Sequence, residues 1–313
     1  LASTTPTNTT VAQQGWLVNM RAQTQEQERI PPVIIRGGLP DTLPLTTDQK
    51  YDYYASVARS RNAMQETPVG HRTIIGFRVI TPTNADSTDR AAGMGVYDDM
   101  VVMIWKERDR AGNEVKRVKH FTANTEPSAQ YDQALMGTRK ENGLTIGRKH
   151  AEGRDPDGDG RRDLGRLPDG KYTYERSSSA TLGTIGRRIL RPVTENDSGI
   201  MVDRDVNHDG SFNDVDSQQI AEYKARLIRS GRTEAQAQAI INRELNSQET
   251  IYFHRGGAIT RDRNDNITAQ DTYSAACQTF PGREKFDEFW DTLGEEQVTG
   301  QRTFEYVLVT LPQ

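Results

Sequence analysis

Val96-Tyr-Asp-Asp-Met-Val-Val-Met-Ile-Trp-Lys106 and Glu114-Val-Lys-Arg-Val-Lys-His-Phe-Thr-Ala123, separated by a turn around Arg110-Ala-Gly-Asn113, decide the fold class. Both flanks are rich in Val and aromatic residues, and the joining segment carries the Gly and Asn of a tight turn, so the stretch reads as a β-hairpin. Working outward, His71–Ile80 is rich in Ile, Phe and Val; residues 163–174 read as a turn feeding a strand; Thr250–His254 and Thr303–Leu311 add two more. Helical signals are fewer. Thr46-Thr-Asp-Gln caps a helix predicted over 48–65, with Tyr51, Tyr54, Ala55 and Val57 near one face. Gln218–Ile228 and Thr233–Leu245 read as a helical pair broken at Ser230-Gly231, with Thr233 as N-cap. Arg283–Leu293 reads as a short amphipathic helix with Phe286, Phe289 and Trp290 on its apolar side. The expected class is mainly β with helical insertions, that is α+β.

Composition narrows the function classes. The chain has 313 residues, of which only 34% are hydrophobic, and its mean hydropathy is -0.78. Apolar runs at Thr73–Ile80, Met100–Trp105 and Phe304–Leu311 imply one core carrying long polar insertions. The net charge of -4, with Arg and acidic residues interspersed, gives no electrostatic case for binding nucleic acid. No apolar run is long enough for a transmembrane segment. Leu1-Ala-Ser-Thr-Thr shows neither an initiator Met nor a signal-peptide pattern. Residues 1–15, rich in Thr, Gln and Asn, are expected to be disordered, and residues 29–46, punctuated by Pro and Gly, to form an extended linker. The expected organisation is an N-terminal extension or linker over 1–65, with room for a helix, and a main domain over 66–313, with an acidic calcium-type loop and helical insertion at about 200–248.

The chemistry-bearing stretch is Ile251-Tyr-Phe-His254-Arg255-Gly-Gly257 followed by Ser274-Ala-Ala276-Cys277-Gln-Thr279. Cys277 is the single cysteine, so an internal disulfide is impossible, and cysteine scarcity fits an oxidising compartment. A lone Cys with a strand-end His upstream points to a nucleophile–base pair. The small residues Ser274, Ala275 and Ala276 would let a substrate carbonyl approach the sulfur and the backbone N–H groups beside it. The competing reading is a packed structural Cys and a hydrogen-bonded His.

Two acidic loops carry a metal pattern. Asp205-Val-Asn207-His-Asp209-Gly210-Ser211-Phe-Asn213-Asp-Val-Asp216 places oxygen side chains at loop positions 1, 3, 5, 9 and 12, a carbonyl donor at Ser211 and a turn-forming Gly at position 6. Such spacing wraps oxygens round one hard cation, and a structural Ca2+ is expected there. Asp155-Pro-Asp157-Gly-Asp159-Gly160-Arg-Arg-Asp163 repeats the pattern in a weaker form, because Arg166 stands at its position 12; it reads equally as a second calcium site or an acidic turn. The five His residues lack zinc-ligand spacing, and no organic cofactor is expected.

The order of these pieces resembles the L,D-transpeptidase catalytic domain family. Val96–Ala123 looks like that family's hairpin, and Leu167-Pro168-Asp169-Gly170-Lys171-Tyr172 like its Pro-x-Gly-x-aromatic turn. Phe253-His254-Arg255-Gly256 looks like its His strand, and Ser274-Ala275-Ala276-Cys277 like its cysteine motif. The resemblance covers about residues 96–311 and departs at Ala275, Ala276 and Thr279, where the family has His, Gly and Arg or Asn. It implies a β-sandwich core, Cys277 as nucleophile, His254 as base, a backbone carbonyl near Arg255 orienting the imidazole, and the Cys277 N–H in an oxyanion hole. It implies peptidoglycan stem peptides as substrate, in a periplasmic, cell-envelope or secreted setting. Hydrolysis, as an L,D-carboxypeptidase or endopeptidase of a phage lysin or interbacterial toxin, is the favoured outcome. Crosslinking or amino-acid exchange by a transpeptidase stays open, as does a non-catalytic calcium-stabilised binding module. A papain-like protease fits poorly, since there the Cys precedes the His.

Overall fold

The structure is a computed structural model that describes residues 34–36, 39–64, 69–80, 97–128, 131, 139–141, 144–146, 153–160, 162–178, 187–195, 199–205, 212, 214–247, 251–265, 267–269 and 272–311. Its centre is an eight-stranded mixed sheet built from β1 (Arg72–Arg78), β2 (Asp99–Arg108), β3 (Glu114–Ala123), β4 (Gly170–Ser177), β5 (Ile189–Pro192), β6 (Phe253–Arg255), β7 (Gln278–Phe280) and β8 (Thr303–Thr310). The spatial order is β7-β6-β5-β4-β8-β1-β2-β3. The β8–β1 and β6–β7 pairs are parallel, and the remaining neighbours are antiparallel. The mainly β class with added helices therefore holds.

The sheet curls until its two edges meet. Asn124, just past β3, exchanges two backbone hydrogen bonds with Thr279 of β7, at 2.9 and 2.8 Å. Closure of this kind pairs edge groups that would otherwise invite another strand. The concave side holds the larger core, which includes Ile74, Val101, Met103, Phe121, Phe253 and Phe304. The convex side is covered by α1 (Thr47–Ser60), whose Tyr51, Tyr54, Ala55 and Ala58 pack on Ile75, Phe77, Val102 and Ile104. This explains the unbroken Val101-Val-Met-Ile104 run: alternate side chains face opposite sides, and both sides are buried.

α1 starts where its capping signal lies. The Gln49 N–H donates to Thr46 Oγ1 at 3.3 Å and the Thr46 N–H to Gln49 Oε1 at 3.0 Å. The helix ends at Ser60, short of the predicted 65. A second helical piece, α2 (Asp214–Arg229), runs into α3 (Glu234–Leu245), which Thr233 and Gln236 cap in the same reciprocal way. The last long helix, α4 (Gly282–Thr292), leaves β7 after a single residue. Its Phe289 ring stacks on Phe280 at 4.3 Å and on Phe253 at 5.7 Å, so the helix fixes β6 and β7 from the concave side. Among the described residues no helix is long and apolar enough to cross a membrane.

Candidate active site and acidic loop

β6 carries His254, and β7 begins directly after Cys277. Their parallel register pairs Phe253 with Gln278, His254 with Thr279 and Arg255 with Phe280. It continues one residue upstream, where the Gln278 N–H donates to the Tyr252 carbonyl at 2.8 Å. Strand side chains alternate, so Phe253, Gln278 and Phe280 face the concave core, while His254 and Thr279 share the opposite face. These positions, 25 apart in sequence, pair because the intervening chain crosses over between parallel strands.

His254 is 2% exposed, and its Nδ1 lies 2.8 Å from the Arg255 carbonyl oxygen. A carbonyl only accepts, so Nδ1 carries the proton and Nε2 keeps the lone pair. Burial pushes the imidazole down to about 4, partly opposed by that same hydrogen bond, and the ring is neutral near pH 7. The role foreseen around Arg255 thus falls to its backbone carbonyl, while its side chain is half-exposed.

Cys277 is half-buried, and the Tyr252 N–H donates to its Sγ at 3.4 Å. Ser274 is buried, and its hydroxyl donates to the Cys277 carbonyl at 2.7 Å, so its part is to hold the loop. Ala276 is buried in the concave core and lends its carbonyl to the Gln278 side-chain amide. The loop is tied down again where the Ser128 N–H donates to the Ser274 carbonyl at 2.6 Å. Beside His254, a Cβ on Gly256 would collide with the Tyr97 hydroxyl and the Thr272 carbonyl, so only glycine fits. Tyr97 in turn donates to the Gly257 carbonyl at 2.8 Å. The hydroxyls of Thr272 and Thr279 are buried with no hydrogen-bond partner among the described residues.

Sequence reading missed Tyr97, Tyr252, Gln278 and Thr272. Each resembles ordinary core or strand composition, and only the pairing of β6 with β7 gives it a place beside Cys277 and His254.

The weaker acidic loop is well formed. One ligand oxygen from each of Asp155, Asp157 and Asp159 lies within 4.8 Å of the others. Asp155 accepts from the N–H groups of Gly158, Asp159 and Gly160 at 2.6, 3.1 and 3.1 Å. Gly158 and Gly160 have φ of +71° and +90°. Asp163, fully buried nearby, is pushed up to about 9 by burial and by the charges of Asp157, Asp159 and Asp155. Of the stronger motif, Asp205 is buried beside Leu164, to whose carbonyl its N–H donates. Asn207, Asp209, Ser211 and Asn213 lie outside the described residues, as does the side chain of Asp216. The start of that loop adjoins the other one through a short ladder pairing Asp203 with Arg166 and Arg204 with Gly165. α2 closes over Asp155–Gly160: the Tyr223 ring packs against Gly158, and the Arg226 guanidinium donates to the Asp157 carbonyl.

No family model, no curated protein and no solved structure matches this chain.

Proposed function

We propose that this chain is a divergent L,D-transpeptidase-like cysteine enzyme that cleaves peptidoglycan stem peptides through an acyl-enzyme. The observation that carries the reading is the tautomer of His254, fixed by the Arg255 carbonyl, on a strand paired with the one that follows Cys277. A Cys on one strand end and a His oriented by backbone on the next are what nucleophilic acyl transfer needs. A curled sheet closing over one core is compatible with the family's sandwich, and the Pro168-Asp-Gly170 turn leads β4 as the family's turn leads its strand.

The imidazole, down near 4, is too weak a base to hold the thiol proton at rest, against an ordinary thiol value of about 8.5. The resting pair is thiol and neutral imidazole. As sulfur bonds to the substrate carbonyl carbon, the thiol proton passes to Nε2, and the Nδ1–Arg255 bond stabilises the imidazolium formed. The oxyanion takes a hydrogen bond from the Cys277 N–H. Collapse breaks the C–N bond and returns the proton to the leaving amine. Water then adds to the thioester, giving its proton to His254 and releasing the carboxylic acid and the thiol. An amine in place of water gives crosslinking or exchange.

A hard divalent cation, calcium by ligand chemistry, would be held by Asp155, Asp157 and Asp159. The donor set fits: all oxygen, converging, and crowded enough that burial and like charge raise Asp157. Its contribution is to pin the loop beneath α2. A second cation on the Asp205–Asp216 loop belongs to the same proposal. An enzyme of this class works where peptidoglycan is, in the periplasm, the envelope or outside the cell.

The test is digestion of purified muropeptides in calcium-containing buffer, wild type beside Cys277→Ala and His254→Ala, read by mass spectrometry. Loss of a terminal residue or breakage of a crosslink, absent in both variants, is expected. Mass gains from amine exchange would move the reading to transpeptidation. Inert wild type would leave a calcium-stabilised binding module.

A further inference from the structure

The loop that leads into β7 carries a backbone feature out of keeping with its residue. Tyr273 has a φ of +50°. The left-handed region suits glycine and, as single residues, Asn and Asp; for a bulky side chain it is an outlier, because Cβ crowds the carbonyl oxygen. Among the described residues, the other non-glycine positions with positive φ are Asn62 and Asp265, both of the short polar types that tolerate it. Tyr273 is the exception.

The conformation is imposed from both sides. Thr272 is fully buried, and its carbonyl oxygen stands 2.7 Å from where a Cβ on Gly256 would lie. Ser274 is fully buried as well. Its carbonyl accepts from the Ser128 N–H at 2.6 Å, and its hydroxyl donates to the Cys277 carbonyl at 2.7 Å. A chain pinned on either side of one residue must turn at that residue, and glycine would turn there without strain. Core packing does not explain the choice of tyrosine: Tyr273 is half-buried and belongs to neither hydrophobic cluster. Exposure alternates along the loop, with Thr272, Ser274 and Ala276 buried and Tyr273, Ala275 and Cys277 half-buried. The positions this loop leaves partly open to solvent therefore carry an aromatic ring, a methyl group and the thiol.

We infer that Tyr273 is a substrate-contact residue, kept in a left-handed backbone because its ring is presented on the accessible side of the loop that carries Cys277. This rests on the acyl-transfer reading above. Backbone strain persists where the surroundings over-determine it, and it gathers at ligand contacts. A phenol ring offers an apolar face to a peptide plane and a hydroxyl to its carbonyl or N–H. The group recognised is thus the peptide chain beside the attacked bond. Such a contact acts on the binding of an extended substrate and leaves the chemistry of the thiol alone, which separates it from a role in holding the loop.

Tyr273→Gly removes ring and strain together and makes the distinction. Three quantities are measured beside wild type: the thermal midpoint, the rate of Cys277 acylation by p-nitrophenyl acetate, and KM and kcat for muropeptides. In the ester reaction sulfur bonds to the acetyl carbon, p-nitrophenolate leaves and the thiol proton is lost to the medium. The ester is too small to need an extended binding surface. Expected are a midpoint equal to wild type or up to about 3 °C higher and ester acylation within about twofold. KM should rise about fivefold to tenfold while kcat changes by less than about threefold, the pattern of lost uniform binding. Tyr273→Asn, which also tolerates the left-handed region, repeats the test if the glycine variant fails to fold. A fall in midpoint in the folded variants makes the ring a packing group and overturns the inference. So do equal losses with ester and muropeptide. A wild type that turns over muropeptides, with variants that do so equally well, overturns the inference alone. A wild type inert to muropeptides removes the peptidoglycan reading and this contact with it.

Discussion

At the residue scale, His254 links chemistry to stability. Its folded value of about 4 lies below the ordinary 6.5. Between those values the unfolded chain binds a proton that the native chain does not, so stability rises with pH across the window and is lost as pH falls from 6.5 towards 4. For this fully buried ring the loss approaches about 3 kcal/mol. His120, lowered to about 4 by burial and bonded through Nε2 to the Tyr54 hydroxyl at 2.8 Å, acts in the same direction. Denaturant unfolding at pH 4.5 and 7.0 should show wild type losing stability at the lower pH, and His254→Gln losing less. An equal loss in both would place the titration elsewhere. Thr279, opposite His254, gives a second expectation. Its buried hydroxyl has no partner among the described residues, so Thr279→Val should raise stability by about 1 kcal/mol. If that hydroxyl contacts substrate, turnover falls while stability rises, the trade expected at a functional site. Cys277 and His254 were legible as candidates in the sequence because few residue types can serve as nucleophile and base. The Gln278–Tyr306 hydrogen bond was not legible, because a buried Gln and a buried Tyr 28 positions apart look like packing until the fold joins them.

At the element scale, local signals were read well and pairings were not. The hairpin of β2 and β3, the Thr46 and Thr233 caps and the apolar face of α4 all follow from side chains within a few residues of one another. The parallel pairing of β6 and β7 depends on a crossover that no local pattern encodes, and β6, at three residues, is too short to show periodicity. Residues 29–46, read as linker, include a short ladder pairing Ile34 with Asp41 and Arg36 with Leu39. The Pro and Gly content that suggests a linker suits a tight two-stranded turn equally. Gly256 is where element packing meets the site. Gly256→Ala would drive a methyl group into the Tyr97 hydroxyl and the Thr272 carbonyl, and one of these is backbone that cannot rotate away. Destabilisation of about 1–3 kcal/mol is expected, with slower acylation because the strand carrying His254 must shift. Thermal unfolding and the ester assay measure the two effects, and a variant as stable as wild type would mean that the loop gives way freely.

At the scale of the whole molecule, a strongly polar chain is held together by closure of its sheet. Closure comes from the bridge between Asn124 and Thr279, and it is anchored by a buried network. Fully buried Arg78 donates to the Thr125 hydroxyl and carbonyl and to the Leu167 carbonyl, and Asp99 accepts from the Val79 and Thr125 N–H groups. None of this was legible, since charged residues inside β-rich segments read as surface. The acidic loops were legible in part: the loop at Asp155 is formed, and its neighbour begins where the β-ladder delivers Asp205. What the sequence did not reveal is that α2, which follows the second loop, packs on the first through Tyr223 and Arg226. Arg166, 4.5 Å from the Phe212 ring and 3.5 Å from a Glu126 oxygen, ties the second loop back towards the segment that holds Ser274. A cation bound at Asp155, Asp157 and Asp159 would therefore stabilise both loops and the helical insertion as one unit. Calcium at about a hundredfold above its dissociation constant should add about 2.7 kcal/mol per site, seen as a rise in thermal midpoint that EGTA reverses. In Asp155→Asn/Asp159→Asn the rise should shrink, and whatever remains belongs to the Asp205–Asp216 loop. Because these carboxylates touch no reacting atom, Cys277 alkylation in the folded variant should stay at the wild-type rate. A wild type indifferent to calcium would make the cluster a solvated acidic turn, and the packing of α2 on it would then rest on Tyr223 and Arg226 alone.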